Sequence, residues 1–152
     1  MPHVEEDIVI ARPPEDVFEF VTSPENDRLW SSTAVERRVE GNEPIRVGTR
    51  INAVDKFLGR RIESVFEVTE HEPPRRSAIR FASGPIRAEG TYLLEPTDGG
   101  TRFRWALDAP PGLGGLYLGR VTDPVVTWIF RRRIQRDLRQ LKTVLEARSA
   151  PS

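Results

Sequence analysis

Residues 86–108 read Ile-Arg-Ala-Glu-Gly-Thr-Tyr-Leu-Leu-Glu-Pro-Thr-Asp-Gly-Gly-Thr-Arg-Phe-Arg-Trp-Ala-Leu-Asp. Ile86, Ala88, Gly90, Tyr92 and Leu94 alternate with Arg87, Glu89, Thr91 and Glu95. After Asp98-Gly99-Gly100, Thr101, Phe103, Trp105 and Leu107 alternate with Arg102, Arg104 and Asp108. A period of two marks strands that bury one face. Asp-Gly-Gly between two such runs is a hairpin signal. The stretch therefore predicts two antiparallel strands whose shared apolar face needs a cover.

Upstream the same pattern recurs. Val35 and Val39 begin a strand that turns at Gly41-Asn42-Glu43-Pro44, and Val47 to Asp55 is the next. Ile62, Ser64, Phe66 and Val68 share one face of a third, closed by His71-Glu72-Pro73-Pro74. Ser77 to Ala82 is a fourth, ending at Ser83-Gly84-Pro85. Consecutive strands with short turns form an antiparallel meander. The N-terminal run to Ile10 adds one more strand. Arg12-Pro13-Pro14-Glu15-Asp16 then opens a short helix striped by Val17, Phe20 and Val21. A second begins at Pro24, with Ser23 as its cap, and runs to Trp30.

Downstream, residues 116–147 read as helix, restarted or kinked at Asp123-Pro124. Phe130, Ile134, Leu138, Leu141 and Leu145 recur at helical spacing and form one core-facing stripe. The order is strand, two short helices, six strands, one long helix. A curved sheet cannot bury its inner face alone, and the C-terminal helix is the element long enough to cover it. The expected architecture is α+β: a curved antiparallel seven-stranded sheet wrapped around a long C-terminal helix, with two short helices after strand 1. Residues 1–148 read as one domain and 149–152 as a frayed tail.

Composition narrows the function. The chain has 152 residues, 38% hydrophobic and 30% charged, which is ample for a core without staples. No cysteine is present, which excludes disulfides, thiolate metal sites and cysteine nucleophiles. Basic and acidic residues number 23 each, and that balance argues against a nucleic-acid partner, whose binders are basic. The N-terminus lacks the apolar core of a signal peptide and no run is long enough to span a bilayer, so a cytoplasmic location is expected.

Taken in order, Ile8-Val9-Ile10-Ala11-Arg12-Pro13-Pro14-Glu15-Asp16-Val17-Phe18, Ser23-Pro24-Glu25 with Trp30, Val47-Gly48-Thr49, Glu67-Val68-Thr69-Glu70 with Pro73-Pro74-Arg75, Gly99-Gly100-Thr101-Arg102 and Leu141-Lys142 carry a resemblance over nearly the whole chain. The chain resembles the helix-grip superfamily of START-like (SRPBCC) domains, and within it the polyketide cyclase/dehydrase-like group. The resemblance implies a cavity for a small hydrophobic or amphipathic molecule such as a lipid, polyketide or isoprenoid. It fixes no catalytic residue, because positions vary across the superfamily, and it implies no cofactor.

Strand alternation assigns Thr49, Ile51, Ala53, Ser64 and Phe66 to the inner face, and Ala88, Gly90, Tyr92, Phe103 and Trp105 with them. Trp30, Val126 and Phe130 are expected to join from the helices; Trp30 reads equally as a core plug or a ligand-contacting wall. The set is apolar with sparse polar points, as ligand pockets are. Ala88 and Gly90 leave space in mid-strand. Tyr92 is the one candidate catalytic group, as a donor that polarises a ketone. No base is evident: Asp55 and Asp108 sit at predicted strand ends, where solvent is expected. His71 reads as a solvated turn residue, and no residues have metal-ligand spacing.

The main expectation is a binding or carrier protein. The alternatives are a cyclase or dehydratase acting on an aromatic polyketide-like substrate, and a protein-interaction module with a filled core. Val121, Val125 and Trp128, away from the core stripe, make the helix apolar on most sides around 118–130, and Leu113, Leu116 and Tyr117 lie in the apolar stretch just before it. They are expected to form a mobile gate used for ligand entry, homodimer formation or transient membrane-surface contact, the last favoured by the basic run at 131–139. The alternative is that other helices cover this face.

Overall fold

The computed structural model describes residues 3–57, 59–84, 87–108 and 124–148. Strand β1 (His3–Ile10) leads into helix α1 (Pro14–Thr22), a 3-10 turn (Pro24–Asn26) and the short helix α2 (Asp27–Trp30). Six strands follow: β2 (Ala34–Val39), β3 (Arg50–Phe57), β4 (Arg60–Glu72), β5 (Arg76–Ser83), β6 (Glu89–Thr97) and β7 (Gly100–Asp108). Helix α3 (Pro124–Ala147) closes the described chain. Pro124 is its first described residue, and the part of the expected helix from 116 to 123 lies outside the described residues.

All seven strands form one antiparallel sheet in the order β1-β7-β6-β5-β4-β3-β2. Only β1 leaves the meander, crossing back to pair with β7, Ile8 opposite Phe103. The Asp98-Gly99-Gly100 hairpin holds Thr97 opposite Gly100, with Gly99 at a φ of 83°. That left-handed geometry favours glycine. Gly100 is fixed for another reason: a Cβ there would run into the carbonyl oxygen of Ile10. The turn between β4 and β5 carries a cis Pro73–Pro74 bond.

The apolar stripe of α3 does what its spacing predicts. Ile134, Leu138, Leu141 and Leu145 are buried against Ile10, Val17, Phe20, Leu94 and Phe103. Burying a Leu or Ile side chain stabilises by about 1.5–3 kcal/mol, so these four set much of the helix's hold on the sheet. Its C-terminal end is also clamped to the β1–α1 corner. Arg12 donates from Nη1 to the carbonyls of Leu145 (3.4 Å) and Arg148 (2.6 Å), which satisfies acceptors a helix end leaves open. Lys142 donates to the carbonyl of Val9 (2.9 Å), and Glu146 accepts from the Ala11 N–H (2.8 Å).

Three local expectations are corrected. Ser23 does not cap the following turn; its hydroxyl donates back to the Glu19 carbonyl at 2.7 Å. Strand β3, expected from Val47, begins at Arg50, because Thr49 closes a turn: its hydroxyl accepts from the Arg46 N–H at 3.0 Å. His71 is not in a solvated turn. It lies in β4, its ring 5.3 Å from that of Phe18, and burial lowers its pKa.

Candidate functional site

The sheet curls so that inner-facing residues of β3 to β7 surround a cavity of about 240 Å³, bounded on its other sides by α1, α2 and α3. The register explains the wall. Ile51 lies opposite Phe66, Phe66 opposite Phe81, and Tyr92 between Ser77 and Trp105. Each pair has its side chains on the same face of the sheet, so alternation on one strand propagates across the next. Gly90 lies between Ile79 and Leu107. A Cβ there would make only ordinary contacts, 3.6 Å from Ile79 and 3.8 Å from the Trp105 indole nitrogen; the missing side chain is therefore space in the cavity wall.

Of the residues assigned to the inner face, Ile51, Ser64, Phe66, Ala88, Gly90, Tyr92 and Trp105 line the cavity, as does Trp30. Three do not. Thr49 is held in its turn, Ala53 is buried beside Phe66, and Phe103 is fully buried in the core under α3. Phe103 instead supports the wall, its ring 5.1 Å from Tyr92 and 6.3 Å from Trp30. The side chains of Val126 and Phe130 lie outside the described residues, as do Leu113, Leu116, Tyr117, Val121 and the Val125 side chain. Trp128 alone of the expected gate is described: it is 60% exposed, with the Arg132 guanidinium 5.4 Å from its ring centroid.

The polar end of the cavity goes beyond what the sequence reading expects. Asp27 from α2, Arg37 from β2 and Asp55 from β3 converge on it. Arg37 donates from Nε to Asp27 Oδ2 (2.9 Å) and from Nη2 to Asp55 Oδ1 (3.0 Å). Its Nη1 reaches the carbonyls of Glu36 and Val54 as well as Asp55 Oδ2. The guanidinium lies over Phe66, 5.1 Å from the ring centroid. Only 6% of the Arg37 side chain is exposed, and 16% of each carboxylate. Asp55 is therefore not solvated, which corrects its expected place at an open strand end; it also accepts from the Thr33 hydroxyl at 3.0 Å.

These charges do not balance evenly. Burial pushes the Asp27 carboxyl up to about 6, although Arg37 pulls the other way. Burial works against the charge of Arg37, but Asp55 and Asp27 more than offset it and raise its pKa. Burial likewise raises the Tyr92 phenol, with Asp27 adding to the effect. Asp137 of α3 also lines the cavity. Its carboxyl is raised by burial and accepts the Ser32 N–H at 3.1 Å.

Among the described residues, three buried polar atoms around the cavity lack a hydrogen-bond partner: Asp27 Oδ1, Trp30 Nε1 and Ser64 Oγ. Buried polar groups are normally satisfied, so this concentration in one place has chemical meaning. Among the described residues no group of His, Asp or Glu is placed to hold a metal ion.

A curled sheet gripping a C-terminal helix around such a cavity, and the order of motifs along the chain, have a counterpart among known families. The family model described as polyketide cyclase / dehydrase and lipid transport matches residues 1–146. The chain belongs to this family. Solved structures agree in fold. TTHA0849 from Thermus thermophilus is 24% identical with a TM-score of 0.76, over 98% of this chain and 100% of that one. CV1439 from Chromobacterium violaceum is 19% identical with a TM-score of 0.71, over 97% and 99%. Ara h 8.0201 is 13% identical with a TM-score of 0.69, over 96% and 98%. A comparison with curated proteins finds no match. Within the polyketide cyclase / dehydrase and lipid transport family, the cavity described above is the natural place to look for function. Among the described residues no helix is long and apolar enough to cross a membrane.

Proposed function

We propose that the protein binds a small hydrophobic or amphipathic molecule in the cavity between the sheet and the C-terminal helix. One observation carries this reading: a space of about 240 Å³ walled mostly by apolar side chains, with a few buried polar atoms at its edge that lack partners. An apolar cavity of ~150 Å³ already admits benzene, so this one suits a compact molecule of about two fused rings. An interaction module with a filled core has no use for such a space.

The test is native mass spectrometry of freshly purified protein, followed by solvent extraction of any adduct and titration with an apolar fluorescent dye. A released apolar compound, or saturable dye uptake, supports binding. A clean mass with no dye uptake overturns it.

A second reading is favoured by Asp27. The cyclase or dehydratase alternative needs a base as well as the Tyr92 donor, and Asp27 supplies a carboxylate at the same cavity. In that reading Asp27 takes the proton from the carbon next to a ketone, and the Tyr92 hydroxyl donates a hydrogen bond to the oxygen of the enolate that forms. Turnover lost in both Asp27→Asn and Tyr92→Phe, with binding retained, would select it. Ligand recovered unchanged would select the carrier.

A further inference from the structure

Asp27 and Trp30 lie three residues apart on α2, the spacing that brings two side chains to one face of a helix. Both line the cavity. One carries a buried acceptor without a donor, Asp27 Oδ1, and the other a buried donor without an acceptor, Trp30 Nε1. Trp30 is only 4% exposed. A hydroxyl group is the simplest ligand head that answers both, because it donates one hydrogen bond and accepts another.

The other charged groups around the cavity leave no room for an anion beside this pair. Each guanidinium nitrogen of Arg37 is already engaged, with Asp27, Asp55 or two backbone carbonyls. Asp137 is engaged with Ser32. Arg87, on the exposed rim, is the remaining cation among the described lining residues. A carboxylate head would bring acceptors only, and would face Asp27 across the apolar interior.

We propose that the cavity selects a neutral ring compound bearing a hydroxyl, a phenol or alcohol, which donates to Asp27 Oδ1 and accepts from Trp30 Nε1–H, and that it discriminates against carboxylates of the same shape. This rests on the binding reading above and names the ligand class of that site.

Three isosteric probes test it: β-naphthol, β-methylnaphthalene and β-naphthoate, titrated calorimetrically into the full chain at a pH where β-naphthol is neutral. β-Naphthol should bind about tenfold tighter than either of the others, as expected for a hydrogen bond to a charged group. Asp27→Asn should shrink the preference for β-naphthol over β-naphthoate by about tenfold. Trp30→Phe keeps a ring but removes the donor, and should weaken β-naphthol several-fold more than it weakens β-methylnaphthalene. If β-methylnaphthalene binds as well as β-naphthol, or β-naphthoate binds as well or better, the proposed ligand class is wrong and the binding reading stands. An Asp27→Asn protein with the wild-type preference has the same meaning. If none of the three binds, the binding reading falls and this inference with it. Should Asp27→Asn fail to fold, the three probes on the wild-type chain and on Trp30→Phe still decide.

Discussion

The indole of Trp30 meets the ring of Phe103 edge-on, with centroids 6.3 Å apart and planes at 89°. Trp105 stands in a similar relation to it, at 6.4 Å and 78°. Trp30 is thus core on one side and cavity wall on the other. Trp30→Ala should cost about 3–5 kcal/mol of stability, read as a lower urea midpoint with little change in slope. A loss under ~1 kcal/mol would mean that the aromatic cluster is not packed as described.

Gly90 is a position where added bulk has somewhere to go. A Cβ there would meet nothing closer than 3.6 Å, and the rest of a longer side chain would enter the cavity. Gly90→Leu should keep the fold, as judged by far-ultraviolet circular dichroism, and weaken binding of an apolar dye by about tenfold or more, ~1.4 kcal/mol. Undiminished dye binding by the folded variant would place the cavity elsewhere.

Gly100 is the contrasting case. The Ile10 carbonyl occupies the site a Cβ would need, and both residues belong to the β1–β7 seam. Gly100→Ala should destabilise by about 3 kcal/mol through strain that the backbone must absorb. Thermal unfolding of Gly100→Ala beside Gly99→Ala separates steric conflict from the left-handed φ at Gly99.

Arg37 holds two largely buried carboxylates together. Arg37→Leu leaves Asp27 and Asp55 without their counter-ion, which should cost about 3–5 kcal/mol near pH 7.5. The penalty should be smaller at pH 5, where the orphaned Asp27 carboxyl takes up a proton. Chemical denaturation at the two values checks the pair, and equal losses would show that the guanidinium's charge is not what matters.

The raised Asp27 carboxyl gives a pH dependence of definite sign. Its ordinary value is 3.8 and burial carries it to about 6. The folded state therefore binds a proton more readily than the unfolded chain between these values. The stability this contributes is whole below about pH 4 and is lost as pH rises through about 6, amounting to about 3 kcal/mol. Asp27→Asn stays neutral throughout. Its stability relative to wild type should climb by that amount between pH 4 and 7; a flat difference would contradict the shift.

The parts of this molecule legible in its sequence are those set by period. Alternation from Ile62 to Val68 and from Thr101 to Leu107 names the inner face, because each strand buries one side. The stripe from Ile134 to Leu145 names the covering face of α3. Phe103 falls on the expected face but not at the expected depth: period says which side a residue faces, while depth depends on where α3 crosses the sheet. Thr49 reads as strand because it is β-branched and in phase with Ile51, although Gly48 beside it, at a φ of 95°, marks the turn. The polar end escapes a reading in which charged residues are solvated. The signal is there all the same. Asp55 is in phase with Ile51, Ala53 and Phe57, and Arg37 with Val39. A charge in the apolar phase of a strand is a buried charge seeking a partner, and these two partners lie on neighbouring strands.

The clamp between Arg12 and the carbonyls of Leu145 and Arg148 spans 133 and 136 positions of chain. The first strand likewise waits for β7, opposite it only after Gly100 has emerged. A ribosome making this protein therefore displays the meander with its concave face bare until the last helix is released. Long-range closure of this kind is slow, and bare apolar surface is prone to aggregate. Yield in a cell should then depend on how quickly the C-terminal helix leaves the exit tunnel and on what shields the open sheet meanwhile.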